Sequence, residues 1–176
     1  MLTQLPEQAD PVRLCDQGKS YQGRIALQKF ARLAPLLTSS EGEAAFSLRF
    51  DHDEEGRARV RGSVQATLSV CCQRCMEPMP LKVDTDFMLS PVEGPTEAEL
   101  LPPEYDPLLL EERRLHPMDL VEDELILAIP PAPRHPEDDC GVDLAGYSLT
   151  EQSDGEEESG KDNPFAVLTK LKRDTE

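Results

Sequence analysis

From Ala58 to Cys71 the chain reads ARVRGSVQATLSVC, apolar at nearly every second position. Ala58, Val60, Val64, Ala66, Leu68 and Val70 share one parity, and Arg59, Arg61, Ser63, Gln65, Thr67 and Ser69 share the other. A period of two sends successive side chains to opposite faces of a strand. The stretch therefore predicts one strand about 46 Å long at ~3.3 Å per residue, apolar on one face and polar on the other. Gly62 is the natural place for a bulge or bend in it.

The same alternation recurs on both sides. In AFSLRF (45–50) Phe46, Leu48 and Phe50 alternate with Ala45, Ser47 and Arg49. DHDEEG (51–56) reads as the turn that follows. In LKVDTDFML (81–89) Leu81, Val83, Phe87 and Leu89 point inward. Three such strands in succession predict an antiparallel β-meander or partial barrel with one solvated face.

Helical spacing surrounds this sheet. GRIALQKFARLAPLL (23–37) sets Ala26, Phe30 and Leu33 on one helical face, with Pro35 ending it. In HPMDLVEDELILAIPP, Pro117 suits the first helical position and Pro130 the stop. Met118, Val121, Leu125 and Ala128 would be its buried side, and Asp119, Glu122, Asp123 and Glu124 a solvated helix start favoured by the dipole. Residues 91–112, with seven acidic side chains and five prolines, read as a connection holding one short strand at PLLL. The fold class is α+β with packed helices.

Four regions follow: an N-terminal arm (1–20), an α+β domain (21–148), an acidic disordered linker (149–162) and a short C-terminal amphipathic helix (163–173). EQSDGEEESGKD has six acidic residues and no large apolar one, too little to bury. After it, Asn163 is a good N-cap, Pro164 fits the next position, and Phe165, Leu168 and Leu171 line one face. Lys170, Lys172 and Arg173 suit its C-terminal end. A helix this short is marginal alone, so it needs either its own domain or a partner to pack against.

Charge narrows the function. With 18 basic and 35 acidic residues the net charge is −17, which disfavours broad contact with nucleic-acid phosphates. It suits a basic protein partner, or serves solubility alone. The local exception is Arg57, Arg59 and Arg61, with Arg49 beside them, a candidate RNA-binding patch without interleaved aromatics for base stacking. No apolar stretch approaches the ~20 residues that span a bilayer, and the N-terminus lacks a basic segment leading into an apolar one. The expectation is a cytoplasmic protein with no membrane partner and reduced thiols.

SVCCQRCMEPMP places Cys72 and Cys75 in a C-x-x-C at the turn between two strands, with Cys71 adjoining. Zinc would need two further ligands, and His135 and Cys140 are the plausible second pair. A redox pair would want a helix N-terminus after the first cysteine, and no βαβ pattern surrounds it. Plain structural thiols are the third reading. There is no Gly-rich phosphate loop and no H-E-x-x-H, and the three histidines are scattered. The chain reads as non-enzymatic, with zinc its one candidate cofactor.

Taken together, CQRC (72–75), VEDELILAIPPAP (121–133) and NPFAVLTKLKR (163–173) resemble the bacterial YceD family, and DPVRL and YQG near the start are similar too. The resemblance runs nearly end to end, and it rests on order and spacing rather than on any single motif. It implies a non-enzymatic cytoplasmic factor needed for accumulation of 23S ribosomal RNA. The implied partners are a large-subunit ribosomal protein or pre-ribosomal particle, with 23S rRNA touched directly or indirectly. Some family members carry further cysteines near the C-terminus that would complete a zinc site. This chain departs from them, with only His135 and acidic residues around Cys140.

Overall fold

The computed structural model describes residues 4–110, 113–136 and 139–141. The expected linker (149–162) and the helix at 163–173 lie outside the described residues.

The long alternating stretch forms β3 (Ala58–Cys71), flanked by β2 (Glu43–His52) and β4 (Pro78–Val92). With β1 (Ser20–Ala26) and β5 (Asp106–Leu109) they make an open five-stranded sheet in the order β1-β2-β3-β4-β5. The first four strands are antiparallel to their neighbours and β5 runs parallel to β4. Three helices complete the described fold: α1 (Pro11–Asp16), α2 (Pro95–Ala98) and α3 (Pro117–Leu127).

The core lies on the apolar face of the sheet. Val60, Val64, Leu68 and Val70 of β3 meet Phe46, Leu48 and Phe50 of β2 and Met79 and Val83 of β4. Leu14 and Cys15 of α1 and Leu120, Val121 and Leu125 of α3 cover that face. Each fully buried aliphatic or aromatic side chain here stabilises the fold by about 1.5–3 kcal/mol relative to exposure. Phe50 also receives the edge of Tyr21 from β1, with ring centroids 6.1 Å apart.

The structure corrects four expectations. Residues 23–37 do not form a helix. Their start pairs with β2 as β1, with Gly23 opposite Phe46 and Ile25 opposite Ala44, and two 3₁₀ turns follow at Leu27–Lys29 and Ala34–Leu36. Leu27, Phe30 and Leu33 recur every third residue and are completely buried, a spacing that suits 3₁₀ geometry as well as an α-helix. The 1–20 segment is not simply an extended arm either. Asp10 caps α1 by accepting from the Val12 and Arg13 N–H groups, Pro11 opens it, and Leu14 and Cys15 join the core.

Gly62 is not a bulge. It pairs in unbroken register with Leu48 on one side and Phe87 on the other. Its role is steric: a Cβ at Gly62 would stand 2.0 Å from Phe87 Cζ, so the ring lies across the glycine. Gly62→Ala is expected to lower stability by about 1–3 kcal/mol through overpacking. The double variant with Phe87→Leu should recover part of that loss in urea denaturation. A fully additive double variant would contradict the steric account.

Finally, Glu122 is not a solvated helix-start residue. It is 3% exposed, facing the 3₁₀ segment before β2, whereas Met118, expected inside, is 37% exposed. Glu122 Oε1 accepts the backbone N–H groups of Arg32 and Leu33 at 2.6 and 3.0 Å. Its other oxygen meets the Arg32 guanidinium at 3.1 Å, and Asp123 reaches the same guanidinium at 2.6 Å. The guanidinium is broad enough to reach both neighbouring carboxylates on the helix.

Candidate functional site

Two constellations sit at different places on the sheet. The first is at the β3–β4 turn. After Cys71 the chain turns through Cys72–Glu77, with Cys72 N–H donating to Glu77 O at 2.9 Å and Met76 N–H to Cys72 O at 2.9 Å. Met76 takes the left-handed conformation (φ 63°) that lets the turn close. This places Cys72 and Cys75 on the same side of the loop. The segment beyond α3, released from helix by Pro130, lies against the turn: Gln73 N–H donates to Pro133 O at 2.8 Å.

His135 and Cys140 arrive with that segment. The Sγ atoms of Cys72, Cys75 and Cys140 and a ring nitrogen of His135 lie within 4.8 Å of one another. Cys75 Sγ is 3.3 Å from His135 Nδ1. Cys72 Sγ accepts the backbone N–H groups of Arg74 (3.4 Å) and His135 (3.5 Å). Burial alone would raise the Cys72 thiol, but N–H donors from Cys75, His135 and Arg74 outweigh it and bring it from 9.0 down to about 5. The hydrogen bond to Cys72 pushes the His135 imidazole above its ordinary value.

Arg74, between the two turn cysteines, completes the arrangement. Its Nε donates to Cys140 Sγ at 2.8 Å, and its Nη2 to His135 O at 3.2 Å and Pro136 O at 3.3 Å. The remaining thiols stand apart. Cys71 Sγ turns to the Met76 carbonyl at 3.5 Å. Cys15 is buried in the core, where desolvation drives its thiol up to about 11. The donor set at the turn, three thiols and an imidazole, suits zinc, for which Cys₃His is a familiar closed coordination shell.

The second constellation is the polar face of β2 and β3. Arg49, Arg59 and Arg61 surround a single carboxylate. Asp51 accepts from Arg59 Nε and Arg61 Nη2, each at 2.5 Å, and from Arg49 Nε at 2.9 Å. Arg57 belongs to a separate group at the β2–β3 turn. It is paired with Asp53 at 3.2 Å and lies over the Tyr105 ring at 5.3 Å, while Tyr105 OH donates to Asp53 at 2.9 Å. Arg59 and Arg61 therefore come together, but held by Asp51, and Arg57 is drawn to one side. An aromatic does accompany these arginines, from a segment 48 residues downstream of Arg57, too distant for strand alternation to reveal.

Phe165, Leu168, Leu171, Lys170, Lys172 and Arg173 lie outside the described residues. Asp51 and Arg74 carry the two constellations and went unmarked in the sequence: one was read as part of a turn, the other as the filler of C-x-x-C. The charge alternation Arg49-Phe50-Asp51 opposite Arg59-Val60-Arg61 was the available signal for Asp51. Among the described residues no helix is long and apolar enough to cross a membrane.

Comparison with known proteins adds the following. The sequence model of the family described as "Large ribosomal RNA subunit accumulation protein YceD" matches residues 60–172. A protein of Haemophilus influenzae named "Large ribosomal RNA subunit accumulation protein YceD" is 35% identical over 173 residues, covering 96% of this chain and 97% of that protein. No solved structure matches.

Proposed function

Because the chain belongs to the YceD family, we propose that it is a non-enzymatic factor in 23S rRNA accumulation and large-subunit assembly, acting by binding a basic ribosomal protein or an assembly intermediate. The observation that carries the protein-binding mechanism is the state of the sheet arginines. Asp51 and Asp53 already occupy Arg49, Arg57, Arg59 and Arg61, so the positive charge available to RNA on this face is reduced. The chain as a whole, at −17, attracts cations. Opposite charge speeds encounter with a basic partner and makes the complex salt-sensitive.

In this reading the chain is organised as a folded domain that takes in α1, an acidic tether (149–162) and a docking helix (163–173). Phe165, Leu168 and Leu171 supply the apolar anchor on the partner, and Lys170, Lys172 and Arg173 face rRNA phosphate. The partner is held through charge until rRNA displaces the acidic surface. The protein works in the cytoplasm, where ribosomes are assembled.

A native pull-down of the tagged full chain, with and without RNase, tests this. A basic large-subunit protein should be recovered in both samples and lost at high salt. Recovery of 23S rRNA, with ribosomal proteins disappearing on RNase treatment, would overturn it in favour of direct contact through Arg57, Arg59 and Arg61. Cleavage of precursor 23S rRNA by the purified protein with Mg²⁺ would overturn the non-enzymatic part.

A further inference from the structure

We propose that Cys72, Cys75, His135 and Cys140 bind one zinc ion, and that this structural centre staples the chain beyond α3 to the β3–β4 turn. The geometry argues for it first. A tetrahedron with Zn–S bonds of ~2.3 Å has edges of about 3.8 Å, and a Zn–N bond is a little shorter. Four donor atoms already within 4.8 Å of one another need only small rotamer adjustments to reach that figure. They come from two segments some 60 residues apart.

The chemistry selects the ion. Three thiols and one imidazole are soft and borderline donors, suited to zinc and poor for Mg²⁺, Ca²⁺ or Mn²⁺. Four protein ligands leave no open coordination position, which marks a structural rather than a catalytic centre.

The second shell fits as well. Three thiolates around a dication leave one net negative charge in a partly buried place. The Arg74 guanidinium, 2.8 Å from Cys140 Sγ, offsets it, and backbone N–H groups of Arg74 and His135 point at Cys72 Sγ. Such outer partners orient the ligands and set affinity. Arg74 also donates to the carbonyls of His135 and Pro136, so one side chain holds both halves of the site. Metal binding by ligands from two segments adds its free energy to their docking. The centre thereby fixes where the chain leaves the sheet after residue 141, whatever partner the rest of the chain takes.

The test is zinc content of the full chain, purified under reducing conditions with zinc present and dialysed free of excess. About one zinc per chain is expected in the native sequence, in Cys15→Ser and in Cys71→Ser. Cys75→Ser and His135→Ala should lose it, and Arg74→Gln should keep the ligands but bind some 10–100-fold more weakly. A thiol titration of the unaltered protein guards against variants that fail to fold. Cys71 should react promptly, Cys72, Cys75 and Cys140 only after a chelator strips the metal, and Cys15 slowest of all. No stoichiometric zinc in the native chain, equal zinc in Cys71→Ser and Cys75→Ser, or a disulfide among Cys72, Cys75 and Cys140 in the reduced preparation would overturn the proposal.

Discussion

Replacing Glu122 by alanine is expected to cost about 2–4 kcal/mol of stability, because it takes a charged acceptor from two backbone donors, and a buried donor left unsatisfied costs about 1–3 kcal/mol. The size follows from what the carboxylate satisfies. The N–H groups of Arg32 and Leu33 have no strand or helix partner, because the chain there is passing between two 3₁₀ turns, and Glu122 Oε1 accepts both. Without it, Leu33 N–H, beside a completely buried side chain, is left without an acceptor. The Arg32 guanidinium loses one of its two carboxylates. Glu122→Gln keeps one acceptor oxygen and should cost about 1–2 kcal/mol. Asp123→Ala, on the half-exposed side of the same arginine, should cost less than about 1 kcal/mol. Urea midpoints at constant m-value measure all three. If Glu122→Ala fell within the range of Asp123→Ala, the carboxylate would not be the latch between α3 and the β1–β2 connection.

Glu122 also shows where sequence reading stops. Its position on α3 was legible, since Pro117, the apolar spacing and Pro130 are local signals. Its partners are backbone groups about 90 residues away, and a backbone N–H leaves no trace in residue identity. The sheet divides in the same way. The bounds of β3 follow from strict alternation, and Phe46, Leu48, Phe50 and Val83 are inside as their parity requires. β1 was misread because Ala26, Phe30 and Leu33 satisfy helical spacing as well. Pairing with β2, a non-local term, decided between the two. Asp10-Pro11 carries the same cap-and-proline signature that marks Asn163-Pro164, yet a six-residue helix leaves too little periodicity to support it. At the Cys/His cluster the four donors could be named from spacing. Arg74 could not, because its role depends on His135, Pro136 and Cys140 being brought against the turn.

Asp51→Asn is the substitution with the largest expected effect on the charged face. Arg49 and Arg61 are directly opposed across β2 and β3, an arrangement in which like charges repel. Asp51, only 15% exposed at its side chain, makes it tolerable by accepting from both and from Arg59. Burial alone would raise its carboxyl, but the hydrogen bonds from Arg59 and Arg61 hold it below the ordinary 3.8. A folded-state value below the unfolded one adds stability that is fully present above pH 3.8 and disappears as pH falls through the folded value. Asparagine cannot take part in this titration. The variant should be less stable at neutral pH by about 1–3 kcal/mol, the worth of a charge-assisted hydrogen bond, and should lose part of the acid limb of the stability profile. It should also bind RNA better. With the carboxylate gone, Arg49, Arg59 and Arg61 present uncompensated charge on a solvated sheet, and the dependence of log affinity for single-stranded RNA on log salt should steepen by about 1–2. The native protein, under the protein-binding mechanism, should show little affinity at moderate salt. If instead it already binds RNA as tightly as Asp51→Asn does, Asp51 does not withhold these arginines, and the sheet face itself becomes the rRNA contact.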